Sequence, residues 1–384
     1  MIKIEKIIPG GQALGTNKDG KKVFFWNALP GELIESYNIT KKKSHYDEAI
    51  ATTIKETNTN RQAPRDDCFL STSPWQIIDY DYELELKSEL VQEIFREHDI
   101  RIEKPEAITD GKDFFYRNKM EYALYWDNET NKIQLAFHQR GSHRKTPIKS
   151  SSIECPEIYT AAQEIIDQLN AENKEARKYQ SLLLRCNKEG RVSGGLYENH
   201  KPHPEFPPLT DTILGYKYSY SPNGFFQINL PVYELALKEI KNFITTEQVL
   251  DLYAGVGTIG LSVARDKKLT LVECDKFAYK ELQNNITTVS NNINAVLDKS
   301  ENVTKYIQPE QTVILDPPRA GCDRKLIDHI NKTKPTKVIY LSCNPSTQAR
   351  DIKLLLDNYH IESVKTFNFF PHTPHIENLV ILSL

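Results

Sequence analysis

The segment 249–261, VLDLYAGVGTIGL, limits the possible folds more than any other part of this chain. An apolar run of strand length carries Asp251 and Tyr253, passes through Gly255 and Gly257, and leads into a helix-forming stretch at Thr258. The two glycines permit a tight turn and a close approach of a ligand to the backbone. Thr258 stands where a hydroxyl can cap free amides or meet that ligand. Three more apolar runs follow, LTLVEC, TVILDPP and KVIYLSC, with helix-length segments between them. Buried strands alternating with helices predict an α/β class, a Rossmann-like doubly wound parallel sheet over residues 216–384. Ligands of such sheets bind outside the C-terminal strand ends. Glu273 closes the second strand, roughly 20 residues beyond Asp251, where an acidic side chain takes ribose hydroxyls. The order D-x-x-x-G-x-G, and not G-x-G-x-x-G, favours S-adenosylmethionine over a dinucleotide.

Three further motifs fall at strand ends of the same sheet. Asp316-Pro317-Pro318-Arg319 follows one strand, and the prolines stiffen the loop that holds the carboxylate. Cys343 ends another strand before Asn344-Pro345, and His375 and Glu377 come just before the last. A cysteine at a strand end is usually a small buried hydrophobe, but three polar strand ends beside a cofactor turn point to chemistry. A Cys343 thiolate can add to carbon 6 of uracil and make carbon 5 nucleophilic towards a methyl donor. Glu377 is then the candidate base for the carbon-5 proton. A free thiol is only a few per cent ionised at neutral pH, so local activation of Cys343 is expected. Methylation of an adenine amino group would leave Cys343 and Glu377 idle. RNA cytosine-5 chemistry would place a Pro-Cys near Asp316, which is absent. A non-catalytic RNA-binding protein on the same scaffold would have no use for an intact cysteine, glutamate and glycine turn.

At 384 residues the chain is long enough for two or three domains. Short strands punctuated by Pro9-Gly10-Gly11 and Pro30-Gly31 predict a small closed barrel at 1–58. A polar loop separates it from a central α+β region, 59–215, with helices expected at 80–98 and 157–170. Helix 80–98 is expected to pack on the catalytic domain, 216–384. No apolar stretch approaches the ~18 residues of a membrane span. Six scattered cysteines without a CxxC pair fit reduced thiols of the cytoplasm. The net charge of −3 places any RNA contact in local patches. Lys41, Lys42, Lys43, Arg140, His143, Arg144 and Lys145 form the candidates, the histidine as a member of its strip.

Nearly the whole chain resembles the RNA 5-methyluridine methyltransferases, enzymes of tRNA and 23S ribosomal RNA. PGGQALG and FFWNALPGELIE are similar to a TRAM domain, an RNA-binding OB-like barrel. YRNKMEYAL and LAFHQRGSHRKTPIKSSSIECPEI resemble the central domain, and SPNGFFQIN the entry to the catalytic domain. The resemblance implies that Gln227, Tyr253, Thr258, Glu273 and Asp316 line the S-adenosylmethionine and uracil pocket. Phe225 would stack on the base, Gln227 and Asp316 would read its polar edge, and Arg319 would steady the loop or substrate. Cys343 matches the nucleophile and Glu377 the base; Asp298 follows the third strand, where a further cofactor contact is usual. Many members carry an iron–sulfur cluster on four cysteines. Here only Cys68 and Cys155 match, with Thr72 and Trp75 in place of the others, so no cluster and no metal are expected. Cys186 and Cys274 are expected to be packed thiols. Asn368 stands where aspartate is more common. The barrel favours 23S ribosomal RNA over tRNA as substrate, and the protein is expected to be a cytoplasmic monomer without membrane contact.

Overall fold

The computed structural model describes all residues except 200, 204–205, 288 and 290–291. Its first five strands, Ile2–Ile7, Ala13–Thr16, Lys22–Trp26, Leu33–Lys42 and Tyr46–Glu56, close into a barrel in which the fifth lies between the third and fourth. Alternate side chains point inward, and Ile2, Ile4, Val23, Phe25, Ile34 and Ala49 fill the interior. Closure leaves no free edge, and the barrel is the OB-like one expected from the strand pattern.

A six-stranded antiparallel sheet follows, in the order Lys201–His203, Val192–Glu198, Ser181–Cys186, Lys119–Asp127, Lys132–His138, Lys145–Pro147. Helix Pro156–Ala171 lays Ile158, Ala162, Ile166 and Leu169 on it, one apolar stripe at helical spacing. Pro156 opens this helix, where its missing N–H costs nothing.

The C-terminal sheet has eight strands. Their order is Ile293–Leu297, Lys268–Glu273, Gln248–Leu252, Gln311–Leu315, Lys337–Ser342, Glu377–Ser383, His360–Phe367, Glu106–Ile108. The four strands read from the sequence are all present. Helices on both faces leave Val249, Leu250, Val313, Ile314, Val338 and Ile339 wholly buried. The sheet is not entirely parallel, however: Glu377–Ser383 runs against both neighbours. That exception matters for the site, because the start of an antiparallel strand lies at the same edge as the ends of its parallel neighbours. The eighth strand comes from far upstream. Helix Tyr80–Glu97, capped by the Asp79 carboxylate on the amides of Asp81 and Tyr82, packs against helix Pro345–Lys353.

Candidate active site

The glycine turn is built as a cradle for a ligand. Tyr253, Gly255 and Gly257 all have positive φ, 66°, 57° and 89°, and the non-glycine Tyr253 holds this conformation at an energetic cost. A Cβ at Gly257 would fall 2.5 Å from Leu282 Cδ1 and 2.9 Å from Leu261 Cδ1, so a side chain there would push both leucine tips aside and sit strained at φ 89°. Thr258 is the first residue of helix Thr258–Val263 and is buried. Glu273 binds three backbone amides: Gly255 at 2.8 Å, Cys274 at 2.7 Å and Asp275 at 2.6 Å. Its carboxylate thereby ties the turn to the end of the neighbouring strand. Asp251 beneath accepts from the Gly260 amide at 2.8 Å, and burial pushes its carboxyl up to about 8. Asp298 donates its amide to the Glu273 carbonyl at 3.1 Å, and its Oδ1 accepts from the Lys299 amide at 2.7 Å and Asn302 Nδ2 at 2.9 Å. A glycine turn with an acidic residue at the next strand end is where sheets of this class hold a ribose.

Asp316, Cys343 and Glu377 meet at the same edge. Asp316 directly follows strand Gln311–Leu315, Cys343 follows Lys337–Ser342, and Glu377 begins the antiparallel strand. Burial pushes Asp316 up to about 7. Burial and the Asp316 charge hold Glu377 well above the ordinary carboxylate range, with Arg319 opposing. The Cys343 thiol, half-buried, is pushed up to about 11 by burial, then by Glu377 and Asp316, while Arg319 lowers it. The two carboxyl groups thus oppose the thiolate, and Arg319 is the group that favours it. Arg319 also bonds His375 Nδ1 at 3.2 Å, and burial and that guanidinium depress the imidazole to about 4, leaving it neutral. The Arg319 carbonyl accepts from Asn344 at 2.9 Å and Thr347 at 3.2 Å, which fastens the Asp316 loop to the Cys343 loop.

The segment 221–229 arrives from the central sheet side. Lys119 donates to the carbonyls of Asn223 (3.2 Å) and Gly224 (3.1 Å), buried Arg185 to that of Phe226 (2.5 Å), and Asn118 to that of Gln227 (3.1 Å). Phe226 stacks on Tyr220 with centroids 3.8 Å apart. With its carbonyls held from one side, the segment buries Gln227 and turns Phe225 outward, 76% exposed. Asn118 and Lys119 fall within YRNKMEYAL, but the motif does not give their roles, and nothing in the sequence marks Arg185, because a lone cation inside a strand carries no signal until its burial is known. Lys87 is a similar case. It is wholly buried with Glu83 at 2.8 Å, an i,i+4 pair whose spacing is legible but whose burial is not.

The basic strip is partly structural. Arg140 lies over the Trp26 ring at 4.3 Å and donates to the Leu70 carbonyl at 2.5 Å, and Lys145 donates to the Leu124 carbonyl at 2.8 Å. Lys41 faces Glu48 at 3.5 Å. Lys42, Lys43 and Arg144 are exposed, and the hairpin tip at Gly141 approaches Thr40 of the barrel, so the two basic segments adjoin.

A four-thiolate cluster does not fit the residues present. Cys68 is buried, with its sulfur 3.9 Å from the Ser150 carbonyl, and Cys155 caps a helix with its sulfur 3.7 Å from the Phe115 carbonyl. Position 72 offers a hydroxyl, and position 75 a buried indole bonded elsewhere. Among the described residues, no group of three or more His, Cys, Asp or Glu side chains is placed to hold a metal. Cys274 is exposed, not packed as expected, while Cys186 is buried. No helix among the described residues is long and apolar enough to cross a membrane.

Residues 211–384 match the family described as tRNA (Uracil-5-)-methyltransferase. An uncharacterised RNA methyltransferase of Prochlorococcus marinus is 30% identical, covering 73% of this chain and 80% of its own length. The tRNA (uracil(54)-C(5))-methyltransferase of Pyrococcus horikoshii is 29% identical over 79% of this chain and 81% of its own. The fold matches the crystal structure of the Pyrococcus abyssi tRNA (uracil-54, C5)-methyltransferase in complex with S-adenosyl-L-homocysteine, with a TM-score of 0.77 at 23% identity, covering all of both chains. This chain belongs to the RNA methyltransferases, and its residues 211–384 carry the match to their tRNA (Uracil-5-)-methyltransferase family.

Proposed function

We propose that the enzyme methylates carbon 5 of a uridine through a covalent bond between Cys343 and carbon 6. One observation carries this reading: a thiol, two carboxyls and a guanidinium that perturb one another stand beside the glycine turn at a single sheet edge. Cys343 Sγ adds to carbon 6, assisted by Arg319, and the electron pair of the ring double bond shifts towards carbon 5. Gly255 and Glu273, with Tyr253 and Thr258 alongside, would hold S-adenosylmethionine, whose sulfonium methyl would pass to the electron-rich carbon 5 as the S–CH3 bond breaks and S-adenosylhomocysteine leaves. Glu377 then takes the carbon-5 proton, the double bond re-forms, and Cys343 leaves as thiolate. Asp316, raised by burial so that it holds a proton more readily than an ordinary carboxylate, and Gln227 face the polar edge of the base, and outward Phe225 provides a stacking surface. A uridine in folded RNA must leave its stack before its ring carbons can be reached.

The closed barrel and the adjoining exposed Lys42, Lys43 and Arg144 support a structured RNA partner, and we favour 23S ribosomal RNA. A second reading, uridine 54 of tRNA, is supported by the name of the Pyrococcus horikoshii relative. In either case we take the enzyme to act as a cytoplasmic monomer. The test uses 5-fluorouridine-containing transcripts of tRNA and 23S RNA with methyl-labelled cofactor. The wild type should form a protein–RNA adduct on one of them, and Cys343→Ala none. An adduct that survives Cys343→Ala would overturn the assignment.

A further inference from the structure

The barrel is docked onto the loop that carries the base. Its first turn holds Gly11 at φ +87°, and a Cβ there would overlap Pro374 Cβ, lie 2.8 Å from Pro374 Cγ and 3.3 Å from the Trp75 ring. Pro374 stands three residues before Glu377. Trp75, 2% exposed, links the two parts: its Nε1 donates to the Gly11 carbonyl at 3.0 Å and its backbone amide to the His372 carbonyl at 3.0 Å.

Most of what holds loop 368–376 in place comes from outside it. Tyr116 bonds the Pro371 carbonyl at 2.9 Å, Lys87 bonds the Phe370 carbonyl at 3.1 Å, and Glu83 accepts from the His372 amide at 2.9 Å. His372 itself sits at φ 59°, a conformation that needs such support. Gly11 lies against Pro374 and Trp75 bonds His372, one and three residues before His375.

We propose that Gly11 and Trp75 are positioning residues for Glu377, so that the barrel sets the rate of the chemical step as well as holding RNA. This rests on the reading of Glu377 as the base. A barrel acting only as a tether would need no contact at Pro374, and its loss would change RNA affinity alone. A barrel that clamps the loop makes the geometry of proton removal depend on a turn in another part of the chain.

The test compares Gly11→Ala and Trp75→Phe with the wild type, all as full-length chains, on unmodified tRNA and 23S RNA transcripts. Because a displacement of about 1 Å can cost on the order of 100-fold in rate, Gly11→Ala should lower kcat by about that factor, with KM for RNA within about twofold. Trp75→Phe, which keeps an aromatic ring but loses the N–H, should fall between them and covers the case in which Gly11→Ala fails to fold. On 5-fluorouridine RNA, where the proton cannot be removed, adduct formation should match the wild type in both variants. A rise in KM with unchanged kcat, or loss of adduct together with turnover in a folded variant, overturns the proposal. Failure of the wild type to form any adduct would instead overturn the covalent reading of Cys343.

Discussion

Replacing Lys87 by methionine should destabilise the protein by about 3–5 kcal/mol, the usual cost of leaving one half of a buried ion pair behind. Lys87 and Glu83 have no exposed side-chain surface. The ammonium uses all three donors, to Glu83 at 2.8 Å, Asn368 Oδ1 at 2.7 Å and the Phe370 carbonyl at 3.1 Å. Glu83 in return accepts from Asn368 Nδ2 at 3.2 Å and the His372 amide at 2.9 Å. Methionine fills most of the volume, so the loss is electrostatic: a carboxylate without its counter-charge, and two acceptors without donors. Glu83→Gln combined with Lys87→Met removes both charges and should recover most of the loss, since neutral replacements of buried pairs are often tolerated. Urea unfolding followed by tryptophan fluorescence reads this directly, because Lys87 lies 5.7 Å from the Trp75 ring. A loss below about 1 kcal/mol for Lys87→Met, or a double variant no better than the single, would refute the account.

Glu377→Gln removes the largest charge acting to raise the Cys343 thiol after burial itself, so the thiolate forms more easily. The pH profile of Cys343 alkylation, read by peptide mass spectrometry, should move to lower pH; an unchanged or higher midpoint would contradict the geometry. Burial pushes the Asp251 carboxyl up to about 8 in the folded state, far above its unfolded value of about 3.9. A raised folded pKa contributes stability that is complete below the unfolded value and lost as pH rises through 8. Asp251→Asn, which keeps an acceptor for the Gly260 amide, should therefore gain thermal stability relative to wild type between pH 6 and 9 (a test range), and a parallel pH dependence would count against it. Lys42→Ala, Lys43→Ala and Arg144→Ala should weaken RNA binding and reduce the slope of log affinity against log salt by about 0.7–0.9 for each phosphate no longer neutralised. Arg140→Ala should instead lower stability, through Trp26 and Leu70, as a melting experiment would show.

The strands of the C-terminal sheet were readable because burial on both faces demands unbroken apolar runs, and the glycine turn because few residues tolerate its conformation. Barrel closure was readable from alternation and punctuation. Helix Pro156–Ala171 came within a residue at each end because its stripe is regular. The electrostatic state of Cys343 was not legible. A thiol's pKa depends on burial and on Glu377 and Asp316, which lie 34 and 27 positions away. Nor could spacing show that Arg140 and Lys145 serve as internal braces, since a cation in a polar strip looks the same whether it meets solvent or a carbonyl.

Residue types at strand ends were thus determined by the sequence itself: which groups could attack, take a proton or hold a ribose. Whether those groups meet was decided by tertiary structure. The antiparallel course of Glu377–Ser383 brings its first residue to the edge where the parallel strands end, and the barrel turn at Gly11 presses on the loop that leads there. Both are long-range pairings, set by packing between segments that carry no local trace of each other.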